Sequence, residues 1–148
     1  MKVIPNLSPE WIVSFTLRIT SLAPSTIFCN IIQLSKEGPE HEFGDRTPAV
    51  FLFPSRDQFY ISSSINSNRD TGFSVTKGIA LNVPTHIEIH QRYISGGKYR
   101  YFVKINGEEV ASIINTNALQ FYNVRVYASK GTDPCPGYIK NLEVTNFL

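Results

Sequence analysis

At 148 residues the chain is long enough to bury a core and short enough to be one domain. Its 42% hydrophobic and 18% charged content is that of an ordinary globular protein. A formal net charge of +2, with basic residues such as Arg18, Lys77, Arg92 and Lys104 scattered singly, argues against nucleic acid or an anionic membrane as partner. No apolar run approaches the roughly 18–20 residues that span a bilayer, so no membrane insertion is expected.

Residues 1–10 carry Pro5 and Pro9 and read as an extended lead-in to a single domain over 11–148. Met1-Lys2-Val3-Ile4-Pro5 lacks the apolar segment and cleavage site of a secretory signal, which fits either a cytosolic protein or an excised domain with an added start Met. Asn6-Leu7-Ser8 is a glycosylation sequon weakened by Pro9. Trp11 to Thr20 alternates at period two, with Val13, Phe15, Leu17 and Ile19 toward a core. A loop at 21–25 leads to a strand over 27–35. The polar, Gly- and Pro-punctuated stretch 36–47 is a loop. Ala49-Val-Phe-Leu-Phe53 is a short buried strand. A turn at 55–57 leads to a strand over 58–65, a polar turn at 66–71 and a short strand over 72–76.

Thr85 to Val110 carries the strongest local signal. Two alternating runs flank Ser95-Gly96-Gly97, and Asn106-Gly107 marks a second tight turn, so three antiparallel strands follow one another. Further strands are expected over 120–129 and 138–147, separated by the turn-rich segment 130–137. About ten short strands with no room for crossover helices predict an all-β protein, built as an antiparallel two-sheet jelly-roll sandwich.

The pattern from Pro84 to Val110, ending in Ile105-Asn-Gly-Glu-Glu-Val110, resembles the laminin-G-like, concanavalin A-like jelly rolls. Tyr122-Asn-Val-Arg-Val-Tyr-Ala-Ser129, Gly137-Tyr-Ile-Lys-Asn-Leu142, Asn30-Ile-Ile-Gln-Leu34 and Gly44-Asp-Arg-Thr-Pro-Ala-Val-Phe-Leu52 fit the same scheme, so the resemblance covers nearly the whole chain. It implies a fold used outside cells to bind carbohydrate, protein or lipid, and occasionally to hydrolyse glycosides. Strands alternating in direction would gather 36–47, 66–71, 95–97 and 115–120 at one rim, and 21–28, 55–57, 77–84, 106–108 and 130–137 at the other. Pairing of the first and last strands, usual in this fold class, places Cys29 and Cys135 at one rim as a disulfide; two independent thiols are the alternative.

Candidate ligand-binding residues fall on the first rim: Asp45, Arg46, Asn66, Arg69, Asp70, Asn115 and Asn117. Glu42, Asp45 and Asp70 are candidate calcium ligands, since calcium takes several oxygen donors from neighbouring loops. A solvated acidic loop, or an Asp45–Arg46 ion pair, would explain the same residues. His86, Glu88 and His90 share one face of a strand and could begin a zinc site or decorate a solvated sheet face. The seven tyrosines, Tyr60, Tyr93, Tyr99, Tyr101, Tyr122, Tyr127 and Tyr138, could stack on sugar rings or pair across strands. Glycosidases of this fold carry Glu-x-Asp-x-x-Glu on one strand; here the nearest match, Glu88-Ile89-His90, lacks the second carboxylate. The expected function is a non-catalytic extracellular or cell-surface recognition module that binds glycan or a protein partner through rim loops or a sheet face. A glycan-active hydrolase and a purely structural adhesion domain are the alternatives.

Overall fold

The computed structural model describes residues 2–22, 28–53, 57–76, 80–130 and 135–148. Residue 1, and parts of the loops expected at 21–28, 55–57, 77–84 and 130–137, lie outside the described residues. The described residues contain no helix and form eleven strands: β1 (Lys2–Leu7), β2 (Trp11–Ile19), β3 (Cys29–Ser35), β4 (Ala49–Phe53), β5 (Gln58–Ile65), β6 (Asn68–Thr76), β7 (Thr85–Ser95), β8 (Lys98–Ile105), β9 (Glu108–Asn115), β10 (Phe121–Ala128) and β11 (Gly137–Asn146). They pair antiparallel into a six-stranded sheet, β1-β10-β3-β4-β5-β6, and a five-stranded sheet, β11-β2-β7-β8-β9. This is the two-sheet jelly-roll sandwich expected from the alternation.

The core lies between the sheets and follows the period-two rule. Val13, Phe15, Leu17 and Ile19 of β2 are buried beside Ile87 and Ile89 of β7, while Ile32, Leu34, Val50, Leu52, Phe59 and Ile61 come from the other sheet. Each such side chain contributes about 1.5–3 kcal/mol by leaving water. Tyr101 on β8 and Phe73 on β6 stack at 6.1 Å between ring centres, which ties the two sheets together, and Trp11 meets Tyr101 edge-on at 6.3 Å. Tyr101 and Val103 therefore face inward, and Arg100, Phe102 and Lys104 belong to the outer side of β8.

Three tight turns close hairpins, two of them, at Gly96-Gly97 and Asn106-Gly107, where the sequence indicates. Asn66-Ser67, Gly96-Gly97 and Asn106-Gly107 each have positive φ at both central residues, as a type I′ hairpin requires. Two expectations are corrected. The lead-in over 1–10 is a paired element, because Lys2–Leu7 joins the six-stranded sheet beside β10 as β1. The polar turn expected at 66–71 is only two residues long, and Asn68 to Thr71 already belong to β6. Polarity misleads there because β6 is an edge strand, which has water on one flank and tolerates polar side chains.

The first and last strands of the five-stranded sheet do pair, with Gly137 opposite Ile19. Cys29 and Cys135 are disulfide-bonded, with their Cα atoms 5.2 Å apart and a sequence separation of 106. Asn6 of the sequon sits within β1 opposite Tyr122, and its carbonyl accepts a hydrogen bond from the Asn146 amide at 2.7 Å.

Candidate functional site

The outer face of the six-stranded sheet carries the most elaborate arrangement of side chains. In β4, Val50 and Leu52 turn inward, so Phe51 and Phe53 turn outward. In β5, Phe59 and Ile61 turn inward, so Tyr60 and Ser62 turn outward. Register brings Phe51 opposite Tyr60 and Ser62 opposite Gly72 of β6. Phe28, just before β3, leans over this row, 5.8 Å from Phe51 and 5.9 Å from Phe53 between ring centres. Phe53 meets Tyr60 edge-on at 6.2 Å. Phe28, Phe51, Phe53, Tyr60, Arg46 and Asp70 line an open pocket of about 220 Å³.

One wall is aromatic and the other is a charged network. The Arg46 guanidinium lies 5.0 Å from the centre of the Phe51 ring and pairs with Asp70 at 2.9 Å. Asp70 also accepts from the Tyr60 hydroxyl at 3.0 Å and from the Ser62 hydroxyl. Burial alone would raise the Asp70 pKa, but the Ser62 bond, the Arg46 charge and the Tyr60 bond together hold it below the usual carboxylate value. The Tyr60 phenol is pushed up, by burial first and then by Asp70. Gly72 makes the arrangement possible, since a Cβ there would overlap the Tyr60 ring and its hydroxyl.

A second, more polar basin of about 300 Å³ lies toward β3 and β10 on the same sheet, lined by Ser35, Lys36, Glu37, Asp45, Arg125, Tyr127, Lys130 and neighbours. The Asp45 carboxylate accepts from Lys130 at 3.2 Å, from Ser35 at 3.2 Å and from the His41 backbone N–H at 3.1 Å. Its carbonyl accepts from Ser35 at 2.6 Å and Gln33 at 2.8 Å. Burial works to raise the Asp45 pKa, and these bonds with the Lys130 charge outweigh it and lower it.

The rim residues chosen from sequence are brought together, but mainly to bind one another. Asn115 is fully buried; its side chain donates to Gln91 at 2.9 Å and accepts from the backbone N–H of Asn66 and Asn117. Expected from the sequence as a ligand-binding residue, it lies where no solvent reaches it. The Asn66 side chain donates to the Ile114 carbonyl at 2.9 Å and accepts from the Thr116 N–H at 2.8 Å. Asn117 donates to Ser67 at 2.8 Å, and Arg69 contacts His41 at 3.1 Å. The Asp45–Arg46 pair considered from sequence is replaced by two others, Asp45–Lys130 and Arg46–Asp70. Glu42 pairs with Lys36 at 3.2 Å. The three candidate calcium ligands thus have three different cationic partners, and among the described residues no group of three or more His, Cys, Asp or Glu side chains could hold a metal ion.

On the other sheet, His90 stacks on Phe102 at 4.4 Å and lies 3.6 Å from Glu88, while His86 contacts Thr16 at 3.3 Å. Phe28, Phe51, Phe53 and Gly72 were missed as site residues. Their signal was available in part, because Phe51 and Phe53 are apolar at positions where a one-sided strand would be polar.

No family model matches the chain, and no curated protein matches it. Solved structures do. A heptameric SAP-like pentraxin from Limulus polyphemus aligns over 97% of this chain at TM-score 0.65 and 15% identity. A family 7 alginate lyase, A1-II′, in complex with product aligns over 97% at TM-score 0.60 and 15% identity. Sheep galectin-11 in complex with glycerol aligns over 97% of this chain and 95% of its own length, at TM-score 0.52 and 9% identity. The chain spans 66% of the length of the pentraxin and of the lyase. At these identities the likeness is one of fold, and that fold is the concanavalin A-like jelly roll.

Proposed function

We propose that this domain is a non-catalytic recognition module that binds a glycan on the outer face of the six-stranded sheet, over the pocket of Phe28, Phe53, Tyr60, Arg46 and Asp70. The observation that carries the reading is the pairing of an aromatic wall with a fixed donor–acceptor pair in one open depression. A sugar ring offers an apolar face to aromatic side chains and hydroxyl groups to Arg46 and Asp70. Glycan-related proteins among the structural neighbours, a galectin and polysaccharide lyases, support the ligand class. The Cys29–Cys135 disulfide supports an oxidising, extracellular or cell-surface setting.

Among the described residues the pocket has one carboxylate, Asp70, and it is bonded to Arg46, Tyr60 and Ser62. That favours binding over hydrolysis, which needs two carboxyl groups flanking the scissile bond. A lyase is the second reading, favoured by the Tyr60 hydroxyl standing beside Arg46 and by the lyases among the neighbours.

A glycan array probed with the wild type and with Tyr60→Ala, with and without calcium, tests the proposal. Binding that Tyr60→Ala abolishes is expected. Binding lost in chelator would add the calcium site; a blank array would move weight to a protein partner and an adhesion role. Release of unsaturated sugar ends from a polyuronate would establish the lyase reading.

A further inference from the structure

We infer that the glycan is acidic, and that Arg125 reads its carboxylate or sulfate group in the polar basin beside the aromatic pocket; this rests on the sheet-face reading above. Arg125 stands on β10, with its backbone between Val3 of β1 and Ser35 of β3, and its side chain lines the basin. The other charged groups of that wall have partners. Lys36 pairs with Glu42, Lys130 with Glu40 and Asp45, and Glu37 accepts from the Asn123 amide at 2.7 Å. Among the described residues Arg125 has no anionic partner and no side-chain hydrogen bond.

The surroundings fit an anion carried on a ring. Tyr127, two residues along β10 and in register with Gln33, presents its ring to the basin, with the Lys130 ammonium 5.2 Å from the ring centre. A guanidinium offers a planar fork of N–H donors that matches a carboxylate or sulfate edge. The carboxylates of Glu37, Glu40 and Asp45 make the basin nearly neutral overall, so a free multivalent anion gains little there. An acidic group held in place by the rest of a glycan gains the Arg125 bonds.

The ladder supplies a length. Arg125 on β10 and Tyr60 on β5 are three strand spacings apart, about 14 Å across the sheet, and the registers offset them by about five residues, roughly 16 Å, along it, since Tyr60 is level with Asn30 and Arg125 with Ser35; the two lie on the order of 20 Å apart. No single sugar ring touches both. The ligand is therefore an oligosaccharide that crosses the strands, with its apolar ring face over Tyr60 and an acidic substituent at Arg125.

The test uses matched ligands that differ only in charge: oligogalacturonides against their methyl esters, and chondroitin sulfate against desulfated chondroitin. Affinities are measured by calorimetry for wild type, Arg125→Gln and Arg125→Lys. The acidic member of at least one pair is expected to bind more tightly. Arg125→Gln should weaken that binding roughly 10–100-fold and remove the preference over the neutral partner. Arg125→Lys should restore only part of it. The galacturonide arm identifies a carboxylate and the chondroitin arm a sulfate. Equal binding of charged and neutral members, or an Arg125→Gln affinity unchanged for the acidic one, overturns the inference and leaves the sheet-face reading standing. Failure of every glycan, charged or neutral, overturns both. Arg125 is exposed, so its substitution leaves the core untouched.

Discussion

Arg46 and Asp70 meet at 2.9 Å across the outer face of β5, which joins the segment before β4 to the edge strand β6. The pair covers Ser62 and fixes the Tyr60 hydroxyl, so it is both a clamp on the sheet edge and one wall of the pocket.

Acid should release that clamp. Asp70 and Asp45 both have folded-state pKa values below the usual 3.8, so each carboxylate binds its proton less readily in the folded protein than in the unfolded chain. Their contribution is fully present above about pH 4 and is lost as pH falls through the lowered values. Asp70→Asn should cost about 1 kcal/mol near neutrality, since the pair is partly exposed. The gap between wild type and variant should close on acidification. Thermal midpoints followed from about pH 6 to about pH 2 check this; a gap constant with pH would mean that shape, and not charge, holds the clamp.

Gly72 lies under the Tyr60 ring, and a methyl group at that position would overlap it. Gly72→Ala should displace the ring, destabilise the domain by about 1–3 kcal/mol through overpacking, and weaken glycan binding together with stability. Gly72→Ala combined with Tyr60→Ala should recover the stability and not the binding. Denaturant unfolding beside calorimetry separates the two effects, and a single variant as stable as wild type would refute the overlap.

The contrast between β7–β9 and the pocket explains what could be read in advance. Ile87, Ile89, Gly96-Gly97 and Asn106-Gly107 declare strands and turns by local chemistry alone, and residues three to six apart suffice to interpret them. The pocket joins Phe28, Arg46, Phe51, Tyr60 and Asp70 through sheet register, and register is set by burial across the whole sandwich. The rim residues illustrate a related limit. Asn115 is polar at the end of β9 and beside a loop, which suggests exposure, yet it is fully buried, and its side chain satisfies the backbone N–H groups of the exposed Asn66 and the half-buried Asn117. The cysteine pairing was accessible because it needed only which strands are neighbours and not how they are registered.

Asn115 should therefore behave as scaffold. Its side chain satisfies Gln91 and two backbone N–H groups, and Gln91 in turn donates to the Pro9 carbonyl at 2.7 Å. Asn115→Ala leaves these groups unpaired in a dry site and should cost about 2–3 kcal/mol. Affinity of the remaining folded protein for its glycan should not change. A small stability cost with lost binding would return Asn115 to the ligand site.

The disulfide closes a loop across most of the chain, with 106 residues of separation. Replacing both cysteines by serine should cost about 3–5 kcal/mol, chiefly by freeing the unfolded chain. Equilibrium unfolding in guanidinium should show a lower midpoint and, because the unfolded chain is less compact, a somewhat steeper transition. An unchanged midpoint would show that the loop-closure account does not apply to this sandwich.

His90 is expected to stay neutral at physiological pH and to act as a packed ring. It stands opposite Ile12 on one side and Phe102 on the other, and stacks on Phe102. Burial lowers its pKa first, Glu88 works against that, and Lys104 and Arg92 lower it further, so the balance falls below 6.5. The unfolded chain then binds more protons than the folded one as pH falls below about 6.5. Stability from this site is complete above that pH and is lost as pH drops toward the folded-state value. His90→Phe should keep the stack and flatten this part of the pH profile. A zinc site would behave differently, since added metal would bind the neutral ring, raise the thermal midpoint and stop the titration. Proton titration by NMR, with and without zinc, distinguishes the two, and a His90 midpoint above 6.5 would overturn the buried-ring account.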